Sequence, residues 1–445
     1  MSNNNVIWII SDQHRAQCLS INGDPNLNTP NIDAMGALGL NFTQAVSGFP
    51  LCCPFRGSML TGRYPHLCIP GHEYPLPEGM PTIAHILNEH GYETAYFGKW
   101  HVAGLHESEG RTSLRKVSMP MRGGFTRWLG YENNNSQWDS WVHGHDTAGT
   151  EIPHYRLPGY ETDALTDHFL DYLKEKKNTQ ADKPFFAVLS VQPPHDPYVA
   201  PPQFMARHNP ERMIMRENVP RVLSIMKQAK REYAGSCAMI ENLDYNIGRV
   251  IMLLRETGLY DSTHILFFSD HGDMHGSHGL MRKTNPFEEA VRIPFVMGGV
   301  SDKGYNGMRS GSCSTLINHV DIAPTTLGLC GVPVPESMQG TDLSAVRLER
   351  RSAPAYPDSV FLQSVIPTGH GSSIDRPWRG IITHDRWKYV ALDSQPWLLF
   401  NLTEDPYEQV NHAFNTSYAA ERKKLNNRLA RWISDTGDTF NLPAL

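Results

Sequence analysis

What most constrains the fold of this chain is a short apolar run that stops on polar residues, found in four distant places. Val6 to Ile10 runs into Ser11-Asp12, and Glu93 to Phe97 runs into GKWH. Pro184 to Val191 runs into QPPHDP, and Thr263 to Phe268 into SDHGDMHG. The runs are mainly apolar instead of alternating, as in strands buried on both faces. Between them apolar residues recur at three and four over Thr82 to His90, Thr162 to Lys177 and Met226 to Glu256, which predicts helices. Strands alternating with helices imply a mainly parallel sheet covered on both faces. Ligands of such sheets gather beyond the carboxyl ends of the strands, so the four polar ends predict one shared site.

Gly104 to Pro158 is rich in Gly, Asn, Trp and His without steady periodicity, and is expected to be a loop insertion that shapes a pocket. After Asp321 to Pro335 the texture changes to strand-like pieces at Val360 to Val365, Arg379 to Leu392 and Trp397 to Leu402, closed by a polar helix over Ser417 to Thr436. The expected fold is therefore α/β: a large mixed, mainly parallel sheet between helices, over residues 1–345, and a smaller antiparallel sheet plus helix over 346–445.

A length of 445 residues accommodates both parts. The net charge of −6 comes without a basic stripe or tail, which argues against nucleic acid or an anionic membrane as partner. The seven cysteines form an odd set with no repeated metal spacing, so a reducing compartment is expected. MSNNNVIWIISDQ holds five consecutive apolar residues and no basic flank, too short for a signal-peptide core, and a cytoplasmic protein is expected.

Cys52 and Cys53 stand side by side, and either alone reads as a small buried hydrophobe. Their surroundings, Cys52-x-Pro54-x-Arg56-x4-Thr61-Gly62, resemble the C-x-P-x-R-x4-T-G signature of the type I sulfatases, members of the alkaline phosphatase superfamily. Phe55 stands where that family has a small residue. Other family segments follow in order: Asp12-Gln13 after the first run, Lys99-Trp100-His101, Pro194-His195-Asp196-Pro197, Ser269-Asp270-His271-Gly272, and HGLMRKTNPFEEAVRIP with Lys283. One such match is weak, and five in register beside the cysteine signature are not.

The resemblance implies an alkaline phosphatase-like fold and hydrolysis of a sulfate monoester, on a sulfated carbohydrate or an aryl group, to alcohol and sulfate. It implies that a maturation enzyme oxidises Cys52 to formylglycine, whose hydrate carries a spare hydroxyl that releases sulfate after transfer. It further implies one divalent metal held by Asp12, Gln13, Asp270, His271 and the modified Cys52. Calcium is expected first, with magnesium, manganese or zinc as alternatives, since oxygen ligands suit hard ions while an imidazole suits softer ones. Arg56, Lys99 and Lys283 would clamp sulfate oxygens, His101 would act as base on the spare hydroxyl, and His195 or Lys283 would protonate the leaving oxygen. Cys53 is left to packing. Trp128, Tyr131, Trp138, Trp141, His143 and His145 either stack on a sugar or aryl ring or pack the insertion. Asp-Gln with Asp-His also resembles the phosphonate monoester hydrolases, which use the same nucleophile on phosphorus, and a sulfate- or glycan-binding protein without turnover is a third reading.

Overall fold

The structure, a computed structural model, describes residues 4–179, 183–300, 308–349, 351, 356–371 and 373–445. Its strands are β1 (Asn5–Ser11), β2 (Leu40–Phe42), β3 (Ala45–Val46), β4 (Glu93–Lys99), β5 (Arg127–Tyr131), β6 (Trp141–His145), β7 (Glu151–Arg156), β8 (Phe185–Ser190), β9 (Thr263–Ser269), β10 (Phe295–Gly299), β11 (Gly311–Cys313), β12 (Ile317–Asn318), β13 (Ser359–Ser364), β14 (Trp378–Thr383), β15 (Trp387–Leu392) and β16 (Gln395–Asn401). The helices are α1 (Pro30–Leu38), α2 (Cys52–Thr61), α3 (Ile83–Glu89), α4 (Glu161–Thr179), α5 (Pro202–Met205), α6 (Leu223–Glu256), α7 (Glu288–Val291), α8 (Ile322–Cys330) and α9 (Ala419–Thr436).

The main sheet runs β11-β2-β10-β9-β1-β8-β4-β5-β6-β7. At its centre β9, β1, β8 and β4 are parallel, with Ser11 opposite Ser269 and Ile10 opposite Ser190. That register brings the four predicted polar ends to one edge. Side chains alternate along β1: Val6, Trp8 and Ile10 pack under α2, α3 and α8, and Ile7 and Ile9 pack under α1, α4 and α6. Each large apolar side chain buried on either face contributes about 1.5–3 kcal/mol, which explains why β1 carries no polar alternation. The Trp8 indole N–H is satisfied by Thr326 Oγ1 at 2.9 Å.

The insertion differs from its expectation. β5, β6 and β7 lie within residues 104–158 and extend the main sheet beyond β4. Glycines and histidines in these strands hid the pattern: Gly130 and Gly144 sit where a Cβ would fall about 2 Å from a neighbouring carbonyl oxygen, so close pairing selects glycine at positions that read as loop. Arg379 to Leu392 likewise proves to be the hairpin β14–β15, turning through His384, Asp385 and Arg386, the last at φ 68°. No Gly, Pro or Asn marks that turn.

The antiparallel sheet β13-β14-β15-β16 is covered on one face by α9 through Leu425, Leu429 and Ile433. Its other face meets the main body at Val46, Val291 and Leu316. Among the described residues no helix is long and apolar enough to cross a membrane.

Candidate active site

Cys52 is the first residue of α2, a helix whose ten residues are all buried. Pro54 falls in the first turn, where a backbone N–H has no helical partner to lose. Gly62 ends the helix at φ 65°, and a Cβ there would come within about 3 Å of Met338, which accounts for the Thr61-Gly62 pair. Phe55 is accommodated by stacking on His319, with ring centroids 5.5 Å apart, and by Phe268. Gly98 has φ 105°, and a Cβ on it would meet the Ser190 carbonyl oxygen of β8. The glycine therefore lets β4 lie close enough to deliver Lys99.

Around Cys52 Sγ stand His271 Nε2 at 3.1 Å, Lys283 Nζ at 3.5 Å and Asp12 Oδ1 at 3.8 Å. Asp12, Cys52, Asp270 and His271 are fully buried and offer ligand atoms that all lie within 4.8 Å of one another. His271 Nδ1 faces the Gly272 carbonyl at 3.0 Å, so Nδ1 carries the proton and the Nε2 lone pair faces the carboxylates. Burial pushes its pKa down and keeps the ring neutral. Two carboxylates and a neutral imidazole in one dry pocket fit a divalent cation. Gln13, held at φ 63°, is turned otherwise: its Oε1 accepts from Lys283 at 3.0 Å and its amide donates to Asp273 at 2.7 Å.

The cations are equally buried. Arg56 Nη2 reaches Asp12 Oδ2 at 3.1 Å and Asp270 Oδ2 at 3.2 Å, and Nη1 donates to Ser190 Oγ and the Lys99 carbonyl. Lys99 Nζ lies 2.7 Å from Asp12 Oδ2. Burial works against charge on Asp12, but Lys99, His195 and Arg56 outweigh it and hold the carboxyl well below its usual range. Burial, and after it Asp12, pushes the Cys52 thiol up to about 11; an unmodified thiol here is a poor nucleophile at neutral pH. His195 Nε2 accepts from Lys283 Nζ at 2.8 Å, while His195 Nδ1 donates to the Asp196 carbonyl at 2.8 Å. Burial and then Lys283 bring His195 down to about 3. Lys283 moves the other way: burial disfavours its charge, yet Cys52, Asp12 and Asp196 hold it above the ordinary lysine value. His101, at φ 57°, is buried with neither ring nitrogen hydrogen-bonded. Arg56, Lys99 and Lys283 thus converge on one buried pocket, a setting that suits an anionic ester.

A family model described as sulfatase matches residues 4–332, and one described as the C-terminal part of N-sulphoglucosamine sulphohydrolase matches residues 276–435. The chain belongs to the sulfatase family. An ulvan-active sulfatase of Formosa agariphila is 30% identical over 442 residues, covering 98% of this chain and 82% of that protein. Among solved structures, one in complex with its substrate D-glucosamine-2-N,6-O-disulfate superposes with a TM-score of 0.84 at 21% identity, covering 98% of each chain. The phosphonate monoester hydrolase of Agrobacterium radiobacter gives 0.76 at 22% identity over 97% of this chain and 96% of that one. These two establish the shared fold. The protein is a sulfuric ester hydrolase.

Around the site of this sulfatase stand residues to which the motifs assigned no role. Ser190, Asp196, Tyr198, Arg282 and Asp273 tie the site together: Asp273 holds Gln13, the Tyr198 hydroxyl and the backbone N–H of Arg282, and Arg282 Nε pairs with Asp196 at 3.2 Å. Asp273 lay in the quoted SDHGDMHG segment, but nothing in one sequence tells a ligand carboxylate from a supporting one. His275 and His278 are structural: His275 packs on Tyr233 and His278 stacks on Phe287. Of the aromatic candidates, Trp128, Tyr131, His143 and His145 are buried in the sulfatase fold, with the Tyr131 hydroxyl on Glu161 at 2.6 Å and His143 Nε2 accepting the Val117 N–H. Trp141 is half-buried, and Trp138 is 41% exposed.

Proposed function

We propose that the protein hydrolyses the sulfate monoester of a sugar through Cys52 converted to formylglycine by a maturation enzyme. The convergence of Cys52 Sγ with His271, Lys283 and Asp12 supports this reading. The sulfur stands where an oxygen of the converted residue would lie. The hydrated aldehyde supplies one hydroxyl to attack sulfur and a second whose deprotonation releases sulfate. A bound divalent ion supplies positive charge beside that hydroxyl, and Asp12, Asp270 and His271 would hold it. We take calcium as the expected ion; metal analysis of the purified protein decides between it and magnesium, manganese or zinc.

The chain's own groups divide the rest of the work. Arg56 fixes the two carboxylates and so orients the ligand set. Lys99 and Lys283 present positive charge to the sulfate oxygens. His101, with free ring nitrogens, takes the proton of the spare hydroxyl. Lys283 hands a proton, directly or through His195, to the departing alcohol oxygen. Sugar sulfates are placed before aryl sulfates because the relative at 30% identity is described as ulvan-active. A cytoplasmic location is part of the same proposal and is read by cell fractionation.

Mass spectrometry of the Cys52 peptide after co-expression with a maturation enzyme is expected to show aldehyde in place of thiol. Cys52→Ala is expected to keep the far-ultraviolet circular dichroism and lose hydrolysis. An unconverted Cys52 in an active enzyme, or full activity of the variant, overturns the nucleophile. Faster turnover of phenyl phosphonates than of sulfated sugars transfers the reading to the phosphonate hydrolases, and ligand binding without turnover by the converted protein transfers it to a binding role.

A further inference from the structure

Beside the nucleophile lies a second cluster, and the sulfatase chemistry above leaves most of it unused. Cys53, His72 and His101 offer ligand atoms that all lie within 4.8 Å of one another. Cys53 Sγ is 3.8 Å from His72 Nδ1, close to the separation of about 3.6 Å that two ligands of a tetrahedral zinc ion adopt, given its bond lengths to sulfur and nitrogen. Both ring nitrogens of His101 are buried without a hydrogen-bond partner, although the residue is 1% exposed. An imidazole so enclosed ordinarily finds a donor or acceptor, and the Cys53 thiol and the His72 imidazole lie within 4.8 Å of it.

The surroundings suit an ion. Burial, and after it Cys52, pushes the Cys53 thiol well up, so its proton leaves only when an ion takes the sulfur; the Glu73 N–H, donating to Sγ at 3.3 Å, works in that direction. The Glu73 carboxylate, held by the Glu107 N–H at 2.7 Å, stands 3.8 Å from His72 Nε2, on the side of the ring away from the sulfur, and adds negative charge beside the cluster. The His72 ring packs edge-on against both His101 and His370, which limits its rotation. Its side chain is 26% exposed, so the cluster has a route to solvent.

We infer that Cys53, His72 and His101 form a binding site for a soft divalent transition-metal ion, zinc being the type, and that its occupation switches the enzyme off. Two imidazoles and a thiolate select such an ion over calcium or magnesium. On binding, the Cys53 thiol gives its proton to solvent and the sulfur electron pair goes to the metal. His101 gives a nitrogen lone pair and can no longer accept a proton from the spare hydroxyl. The binding half stands apart from the proposed function; the inhibitory half rests on the role assigned there to His101.

Cobalt(II) tests the binding half. The full-length Cys52→Ala protein, kept in excess calcium, is titrated with cobalt and watched for the near-ultraviolet sulfur-to-cobalt band. One equivalent is expected to develop the band. Adding Cys53→Ser should abolish it, and adding His72→Ala, on a partly exposed residue, should weaken cobalt affinity at least tenfold. No band in Cys52→Ala, or an equal band after Cys53→Ser, overturns the site. For the inhibitory half, zinc is titrated into the matured enzyme and into its His72→Ala variant, whose zinc-free rate should match. The zinc needed for half inhibition should rise at least tenfold in the variant, and equal inhibition overturns the switch. Were the proposed function wrong instead, zinc-free hydrolysis would be missing while the cobalt band remained.

Discussion

The Lys99 ammonium, at the end of β4, lies 2.7 Å from Asp12 Oδ2 just beyond β1, although β8 separates the two strands. Arg56 approaches the same oxygen at 3.1 Å. Two cations on one buried carboxylate oxygen bind the ends of β1 and β4 and the first turns of α2 into a single electrostatic unit. Lys99→Met is expected to lower kcat/KM by about 10²–10³-fold, the usual loss when one group aimed at developing charge is removed. Stability should fall by less than the roughly 3–5 kcal/mol typical of breaking a buried pair, because Arg56 keeps Asp12 paired. Steady-state kinetics with urea melts measures both, and an unchanged kcat/KM would confine Lys99 to structure.

The Arg379–Asp438 pair fastens the segment after α9 to β14. Arg379 Nη2 donates to Asp438 Oδ1 at 3.0 Å and Nε donates to Oδ2, with both side chains nearly fully buried. Burial would raise the Asp438 carboxyl, but its hydrogen bonds from Arg379 prevail and hold it below the usual range. A depressed folded-state pKa stabilises the fold above the unfolded carboxyl value, and that contribution is lost as pH falls through the folded value. Asp438→Asn should therefore cost about 3–5 kcal/mol at pH 7, and the gap from wild type should narrow below about pH 4. Denaturant melts across that range check it; a gap constant with pH would assign the loss to packing.

The candidate site was legible, as a set of residues that the fold brings together, where chemistry fixes both residue type and spacing. Cys52, Pro54 and Arg56 need one helical turn, and Asp12, Lys99 and Asp270 need strand ends, so each left a mark on the sequence. The supporting residues left none. Asp273 and Tyr198 act through Gln13 and Arg282 across stretches of chain with no fixed spacing. The same holds for the fold: β1, β8 and β9 are buried on both faces and read as apolar runs, whereas β7, at the sheet edge, is largely solvent-facing and carries His154 and Pro153. Edge position removed the burial that would have revealed it.

Trp138 is the aromatic candidate left open to a sugar. It is 41% exposed, and the neighbouring Gln137 donates to the His195 carbonyl at 3.0 Å, which sets this loop at the rim of the site. Stacking on a ring contributes about 0.5–1.5 kcal/mol, so Trp138→Ala should raise KM for a sulfated sugar by about 3–10-fold with kcat nearly unchanged. A small aryl sulfate should show little effect. Equal KM values for variant and wild type on both substrates would return Trp138 to packing against Tyr160.

Asp273 offers the most direct test of how the buried network governs chemistry. Its Oδ2 accepts from the Gln13 amide at 2.7 Å, which turns Gln13 Oε1 toward Lys283 Nζ at 3.0 Å. Lys283 in turn reaches both Cys52 and His195, so a carboxylate set back from Cys52 fixes the direction of the ammonium beside it. Asp273→Asn can place an NH₂ opposite the Gln13 amide, forcing the glutamine to turn and withdrawing the acceptor from Lys283. The expected result is a fall in kcat of about 10–100-fold, the range for groups that orient ligands and catalysts from behind, with a smaller change in KM. Pairing the substitution with Gln13→Glu, whose carboxylate accepts from both sides, should recover part of the loss. A variant that lost stability yet kept kcat would show that Asp273 serves packing alone.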